Sequence, residues 1–221
     1  MKLLAIETSS SACSVALLLE NEVKVLHEDA PMKQAQMILP MIDKLLKSSN
    51  IKLNQLDALA FGCGPGSFTG VRIAVSVMQG FGYAAQLRLI PVSSLAALAQ
   101  ATYADLGWKK ILAAVDARIQ EVYWGAYAVN SKGLVELIGK ELVCPPEQIS
   151  IPEGSDWYGA GSAWEVYKLP FNPLQVDTKR LPTATGVVAL AVDKYEKGQW
   201  VMAEAALPTY LRDQVAKKNV K

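Results

Sequence analysis

The chain has 221 residues and a single histidine, His27, and that scarcity excludes whole classes of chemistry. Paired-histidine metal sites such as H-E-x-x-H need two imidazoles on one helix face, and a Ser-His-Asp arrangement has only His27 to draw on. His27 stands in "VKVLHEDA", an alternating stretch ending in a charged turn, and reads as an exposed strand position. Cysteine is nearly as scarce. Cys13, Cys63 and Cys144 are far apart and form no C-x-x-C pair, so neither a disulfide framework nor a zinc site is indicated and all three read as reduced thiols. Net charge is almost absent, at +1, which gives no overall attraction to nucleic acid. Long apolar runs are missing too. In the opening "MKLLAIETSSSACSVALLLENE", "ETSSS" breaks the apolar run well short of a signal core, and no stretch approaches the roughly 20 residues of a membrane span. The expected compartment is the cytoplasm, without membrane contact.

What remains is a chain 51% hydrophobic and 19% charged, the balance of a folded globular protein. Strand signals run over residues 2–6, 13–19 and 23–28, joined by the Thr8-Ser9-Ser10-Ser11 turn and by a hairpin at Asn21-Glu22. These three make an antiparallel meander. Residues 33–47 carry a broad helical stripe of Met37, Ile38, Met41, Ile42, Leu45 and Leu46, with Pro40 expected to kink the helix or mark its true start. A strand at 56–62, a helix at 68–83, a strand at 87–92 and a helix at 94–104 capped by Ser93 or Ser94 follow. This βββαβαβα order is that of a ribonuclease H-like unit.

A second unit starts near residue 110, with strands at 110–116, 121–129 and 133–143. "WYGAGSAWEVY" then reads as a strand, a glycine turn and a short helix, and residues 183–198 as a helix stopped by Gly198. The expected fold is therefore α/β: two tandem ribonuclease H-like lobes, residues 1–104 and a smaller 105–221, as in the actin, Hsp70 and sugar-kinase (ASKHA) architecture.

That architecture holds nucleotide phosphates between two strand turns with an acid near each, so the candidate positions are Glu7, Thr8 and Ser9 in the first lobe and Asp116, Gly159 and Gly161 in the second. The turns that follow the two acids lack the glycines that let backbone amides reach a phosphate, which favours acids that cap turns or pair with arginine. "GCGPGSFTGVRI", residues 62–73, is glycine-rich, yet it has no Walker lysine, and Gly64, Gly66 and Gly70 miss the dinucleotide spacing by one. It reads as a tight turn into a helix with Ser67 as N-cap, and anion recognition by the amides of residues 68–70 at the helix start stays open beside that reading. That helix is apolar all round and is expected to be buried all round, with a partner on one side. The expected partner face is Met37, Met41 and Leu45 of the first helix with Val71, Ala74, Val75 and Met78 of the second. Arginine at Val75 or Met78 is expected to abolish binding while the monomer stays folded.

"GPGSFTGVRI", with "LAIETSSSACSVAL", "DARIQEVYWGAY" and "PTYLRDQVA", resembles the TsaB (YeaZ) family over nearly the whole chain. The resemblance implies a role in making threonylcarbamoyladenosine in tRNAs that read codons beginning with A. It implies a catalytically silent relative of TsaD that pairs with TsaD through first-lobe helices, with the ATPase TsaE joining. Alone, such a chain is expected to homodimerise; tRNA is met only indirectly, and no metal or cofactor is its own, ATP or ADP lodging if anywhere at the complex interface. The sequence departs from the family at Gln34, where histidine is frequent, and at Cys63, where arginine is. Two alternatives stay open: an ATPase or kinase using Glu7 and Asp116, and a direct tRNA binder through "RDQVAKKNVK", a stretch that otherwise reads as a solvated tail.

Overall fold

A computed structural model describes residues 1–150 and 152–212. The first half contains β1 (Lys2–Glu7), β2 (Ala12–Leu19), β3 (Glu22–Asp29), α1 (Gln34–Ser48), β4 (Ala58–Gly62), α2 (Phe68–Ala85), β5 (Arg88–Val92) and α3 (Ser94–Leu106). The second contains β6 (Lys110–Asp116), β7 (Val122–Val129), β8 (Val135–Cys144), β9 (Tyr158–Ala160), α4 (Ala163–Val166), β10 (Val176–Asp177) and α5 (Ala184–Glu196). The strands form two five-stranded sheets, ordered β3-β2-β1-β4-β5 and β10-β9-β6-β7-β8. Counted within its own half, each sheet has the order 3-2-1-4-5. In both, the first three strands are antiparallel and the last two are added in parallel. The two halves thus share one ribonuclease H-like topology. The two-residue β10 carries no periodicity and was not foreseeable from pattern.

The central strands are apolar on both faces, and the two faces differ in side-chain size. Leu4, Ile6, Val15, Leu17, Leu59 and Phe61 point toward α1 and α2. The reverse face is rich in alanine, with Ala5, Ala16, Ala58 and Ala60, and α5 lies on it. Small side chains let that helix come close. At the crossing of α5 with α3, a Cβ on Gly186 would stand 2.3 Å from the Ala97 carbonyl oxygen, so only glycine fits. Helix α3 in turn covers the second sheet, and Ile111, Ala113 and Tyr127 join the same cluster. The layers therefore run α1/α2, first sheet, α5/α3, second sheet, with α4 and Ile149, Trp157 and Leu169 closing the outer side.

Helix α1 runs through Pro40 without interruption, and Gln34 ties its start to the serine turn by donating from Nε2 to the Ser10 carbonyl at 2.8 Å. Ser93 is the N-cap of α3, accepting from the Ala96 amide at 3.2 Å. His27 is exposed on β3. Among the described residues no helix is long and apolar enough to cross a membrane.

Candidate interlobe cleft and helix groove

The strand-to-helix loop after β4 is packed tightly against the chain's own atoms. A Cβ on Gly62 would lie 1.8 Å from Glu7 Oε2, on Gly64 2.8 Å from the Thr209 carbonyl oxygen, on Gly66 2.7 Å from Ser9, and on Gly70 2.0 Å from the Thr8 carbonyl oxygen. These glycines serve close packing against Glu7, Ser9, Thr8 and Thr209, which leaves no room for a side chain at any of the four positions. Ser67 closes the turn as expected: its Oγ accepts from the Gly70 amide at 3.4 Å, and its own amide donates to the Ser9 carbonyl at 2.8 Å.

Glu7 is fully buried beneath this loop. Its Oε1 accepts from the Ser9 amide at 2.6 Å and its Oε2 from the Ser94 hydroxyl at 2.8 Å. Burial pushes its carboxyl above the ordinary range, against the pull of hydrogen bonds from Ser9, Ser94 and Thr8. Thr8 is buried too, its hydroxyl donating to the Gly70 carbonyl at 2.7 Å. Asp116, at the end of β6, accepts from the Arg118 amide and the Tyr167 hydroxyl, both at 2.8 Å, and pairs with the Arg118 guanidinium at 3.0 Å. In the second lobe a Cβ on Gly159 would meet the Trp164 ring at 2.8 Å, and one on Gly161, at φ +109°, the Ala114 carbonyl oxygen at 2.4 Å. Glu7, Thr8, Gly159 and Gly161 are thus packed against the chain's own atoms, and Asp116 is paired with Arg118. Among the described residues no group of three or more His, Cys, Asp or Glu side chains is placed to hold a metal ion.

Between the lobes lies a cleft of about 990 Å³, lined by Ser9, Ser67, Asp116, Arg118, Arg180 and Tyr210 among others. The end of the described chain crosses its mouth. Thr209 donates its amide to the Cys63 carbonyl at 2.7 Å, and its hydroxyl lies 3.3 Å from Cys63 Sγ, a thiol whose pKa burial raises. Tyr210 stacks on Phe68, and Arg212 Nε donates to Glu121 at 2.9 Å while Nη2 reaches the Ala117 carbonyl at 3.1 Å. Arg212, expected in a solvated tail, is held because Glu121 offers it a partly buried carboxylate; the rest of that expected tail, residues 213–221, lies outside the described residues. The residues missed by sequence reading are Glu121, Tyr210 and Arg212. For Tyr210 and Arg212 the signal was "PTYLR", an aromatic and an arginine where the expected tail begins; Glu121, in an expected strand, gave none.

The helix pair carries the second feature. Of the residues expected to meet a partner, Met41, Leu45, Val71, Ala74, Val75 and Met78 are buried in the chain's own core against the first sheet, and Met37 is half-buried at its margin. They are out of a partner's reach, because positions 71, 74, 75 and 78 form the helical stripe that the sheet itself claims. The open side of α2 is the opposite stripe. There Phe68 is 52% and Tyr83 75% exposed, and Ile73 and Val77 are half-buried. With Ala35, Leu39, Thr69, Arg72 and Ser76, Ile73 and Val77 line a shallow groove between α1 and α2.

Two tandem ribonuclease H-like lobes around a common helix layer, with the cleft between them crossed by the chain's own segment, define a protein of the ASKHA class. A family model described as TsaD, tRNA N6-adenosine threonylcarbamoyltransferase, matches residues 25–220. The tRNA threonylcarbamoyladenosine biosynthesis protein TsaB of Escherichia coli (strain K12) is 37% identical, covering 100% of this chain and 98% of its own. That of Haemophilus influenzae is 38% identical, covering 100% and 97%. The solved structure of YeaZ from Pseudomonas aeruginosa superposes with a TM-score of 0.92 at 45% identity, covering 95% of this chain and 99% of that one. The chain belongs to the TsaB family, whose members are tRNA threonylcarbamoyladenosine biosynthesis proteins.

Proposed function

We propose that this chain is a non-catalytic subunit that docks through the α1/α2 groove onto a TsaD-type threonylcarbamoyltransferase and supports threonylcarbamoyl transfer to adenosine in tRNAs reading codons that begin with A. The observation that carries this reading is the division of labour in the loop and helix after β4. The glycine faces of the loop are filled by the chain's own atoms, while the outer stripe of α2 is left apolar and open. The glycines of the loop serve close packing within the chain, and an apolar groove rimmed by Arg72 and Thr69 has the make-up of a protein interface core.

The likeness to a TsaD family model supports the choice of partner. Two related chains can pair face to face through equivalent helices, replacing a symmetric homodimer by a pseudo-symmetric heterodimer. In isolation the same groove is covered by a second copy. The subunit works in the cytoplasm, takes no cofactor or metal of its own and meets tRNA only within the assembly. A TsaE-type ATPase joins later, and any ATP or ADP lodges at the subunit boundary. The test is co-expression with a TsaD-family protein followed by size-exclusion chromatography. The wild type is expected to co-elute as a heterodimer, and Leu39→Glu or Ile73→Arg to elute as a folded monomer. Undiminished co-elution of a folded Ile73→Arg variant would falsify the groove assignment.

A further inference from the structure

We infer that residues 206–212 form a strap that couples the second-lobe rim of the cleft to the α1/α2 groove, so that the groove is fully formed only while Arg212 is held by Glu121. The inference rests on the groove being the partner site. The strap is fixed at three points along its length. Ala206 accepts from Gln79 Nε2 of α2 at 2.7 Å, Thr209 is pinned to Cys63 by its amide at 2.7 Å, and Arg212 reaches the other lobe through Glu121 at 2.9 Å and the Ala117 carbonyl at 3.1 Å.

Tyr210 lies between the last two ties, and they place its ring. It stacks on Phe68 with ring centroids 6.1 Å apart, and the Arg72 guanidinium stands 3.3 Å from the Phe68 centroid and 5.5 Å from that of Tyr210. Phe68 and Arg72 are walls of the groove. A rigid aromatic and an arginine held in place before a partner arrives are the groups that dominate interface energetics. The strap therefore supports two groove residues from behind, and its anchor lies in the other lobe.

The anchor itself has a second arrangement within reach. Ala117 and Glu121 bracket a turn in which Arg118, Ile119 and Gln120 all have positive φ, at 61°, 54° and 59°. Three non-glycine residues in the left-handed region, one of them β-branched, are held there by local ties: Asp116 accepts from the Arg118 amide at 2.8 Å, and the Ala117 amide donates to the Glu121 carbonyl at 2.9 Å. Arg212 is the tie that joins this turn to the strap, while Tyr167 and Ser162 hold Asp116 from within the second lobe. Releasing it loosens the strap beyond Thr209 and removes its hold on the strained turn, which is the two-state element a coupling needs.

The decisive variant is Glu121→Gln, because Glu121 lines neither the groove nor the cleft wall and can affect docking only through the strap. Glu121→Gln and Arg212→Ala are each expected to weaken binding to a purified TsaD-family protein by about tenfold, and the double variant no further than Arg212→Ala alone, since Arg212→Ala already removes the contact that Glu121→Gln breaks. In the free protein, hydrogen exchange is expected to rise at residues 206–212 and in the first turn of α2, while the thermal midpoint stays close to wild type. Unchanged affinity of folded Glu121→Gln overturns the inference, as do additive losses. So does weakened binding with unaltered exchange in the free protein, which would make Arg212 a direct partner contact. An exchange response that stops short of α2 sinks the strap, whereas intact binding by Ile73→Arg sinks the groove reading, so the two failures are told apart.

Discussion

Gly70 and Gly80 lie ten residues apart in the same helix and ask opposite things of a methyl group. At Gly70 the added carbon would stand 2.0 Å from the Thr8 carbonyl oxygen; at Gly80 nothing lies within 4 Å. Gly70→Ala must push α2 off the serine turn and is expected to cost about 3 kcal/mol, whereas Gly80→Ala removes only helix-interior flexibility and is expected to gain about 0.5–1 kcal/mol. Urea midpoints of the two variants check both signs. Glu7 sets a second test. The unfolded chain ionises at the ordinary value of 4.5, but the folded state resists ionisation because burial raises the carboxyl. Its contribution to stability is thus complete below that value and is lost as pH rises through the raised folded one. Glu7→Gln is expected to flatten the stability-against-pH curve where it falls as pH rises above 4.5. Wild-type-like slope in the variant would locate the titrating group elsewhere. The sequence showed that the glycines make a turn and that Glu7 ends a strand. It could not show that each glycine faces an atom from a remote stretch, because Thr8, Ser9 and Thr209 come to the loop only through tertiary packing.

At the scale of the element, period and content were legible and orientation was not. The expected strands and helices all form, most with ends within two residues of the expected ones, and Ser67 and Ser93 cap the helices they precede. Helix α2 was apolar enough that its wheel offered two faces, and Val71, Ala74, Val75 and Met78 were assigned to the wrong one. Their spacing is that of a core stripe, but a sequence does not say which neighbour a stripe meets. The consequence is a reversal for mutagenesis. Val75→Arg and Met78→Arg bury an unpaired guanidinium at residues 4% and 0% exposed, and are expected to lower stability by about 4 kcal/mol or leave the chain unfolded. Ile73→Arg, on the open stripe, is expected to unfold with a midpoint within a few degrees of wild type. Circular dichroism melts of the three variants decide between the faces without any partner present.

At the scale of the molecule, the repeat was visible because a three-strand meander followed by further strands and helices occurs twice in consecutive order, although among the described residues the second copy lacks the α-helix between its third and fourth strands. The sharing of helices between the sheets was hidden, since chain order places α5 after the second set of strands while packing places it on the first sheet. The alanine face of that sheet, Ala5, Ala16, Ala58 and Ala60, has no cover from residues 1–109 other than α3, which lies mainly on the second sheet. Each half packs one side of its sheet by itself, but the alanine face of the first sheet and the α5/α3 layer need both halves. A fragment of residues 1–109 is expected to lack a cooperative melt and to bind hydrophobic dye, because an exposed alanine–leucine sheet face has no compensating contacts. A fragment of residues 110–212 keeps α5 but has nothing to lay it against. Co-expression of the two is expected to restore one cooperative transition, as the α5/α3 layer reassembles and joins both sheets into a single folding unit. Independent sharp melts of the separate fragments would instead mean that each lobe closes its own core, and the shared helix layer would then be an interface and not the centre of the fold.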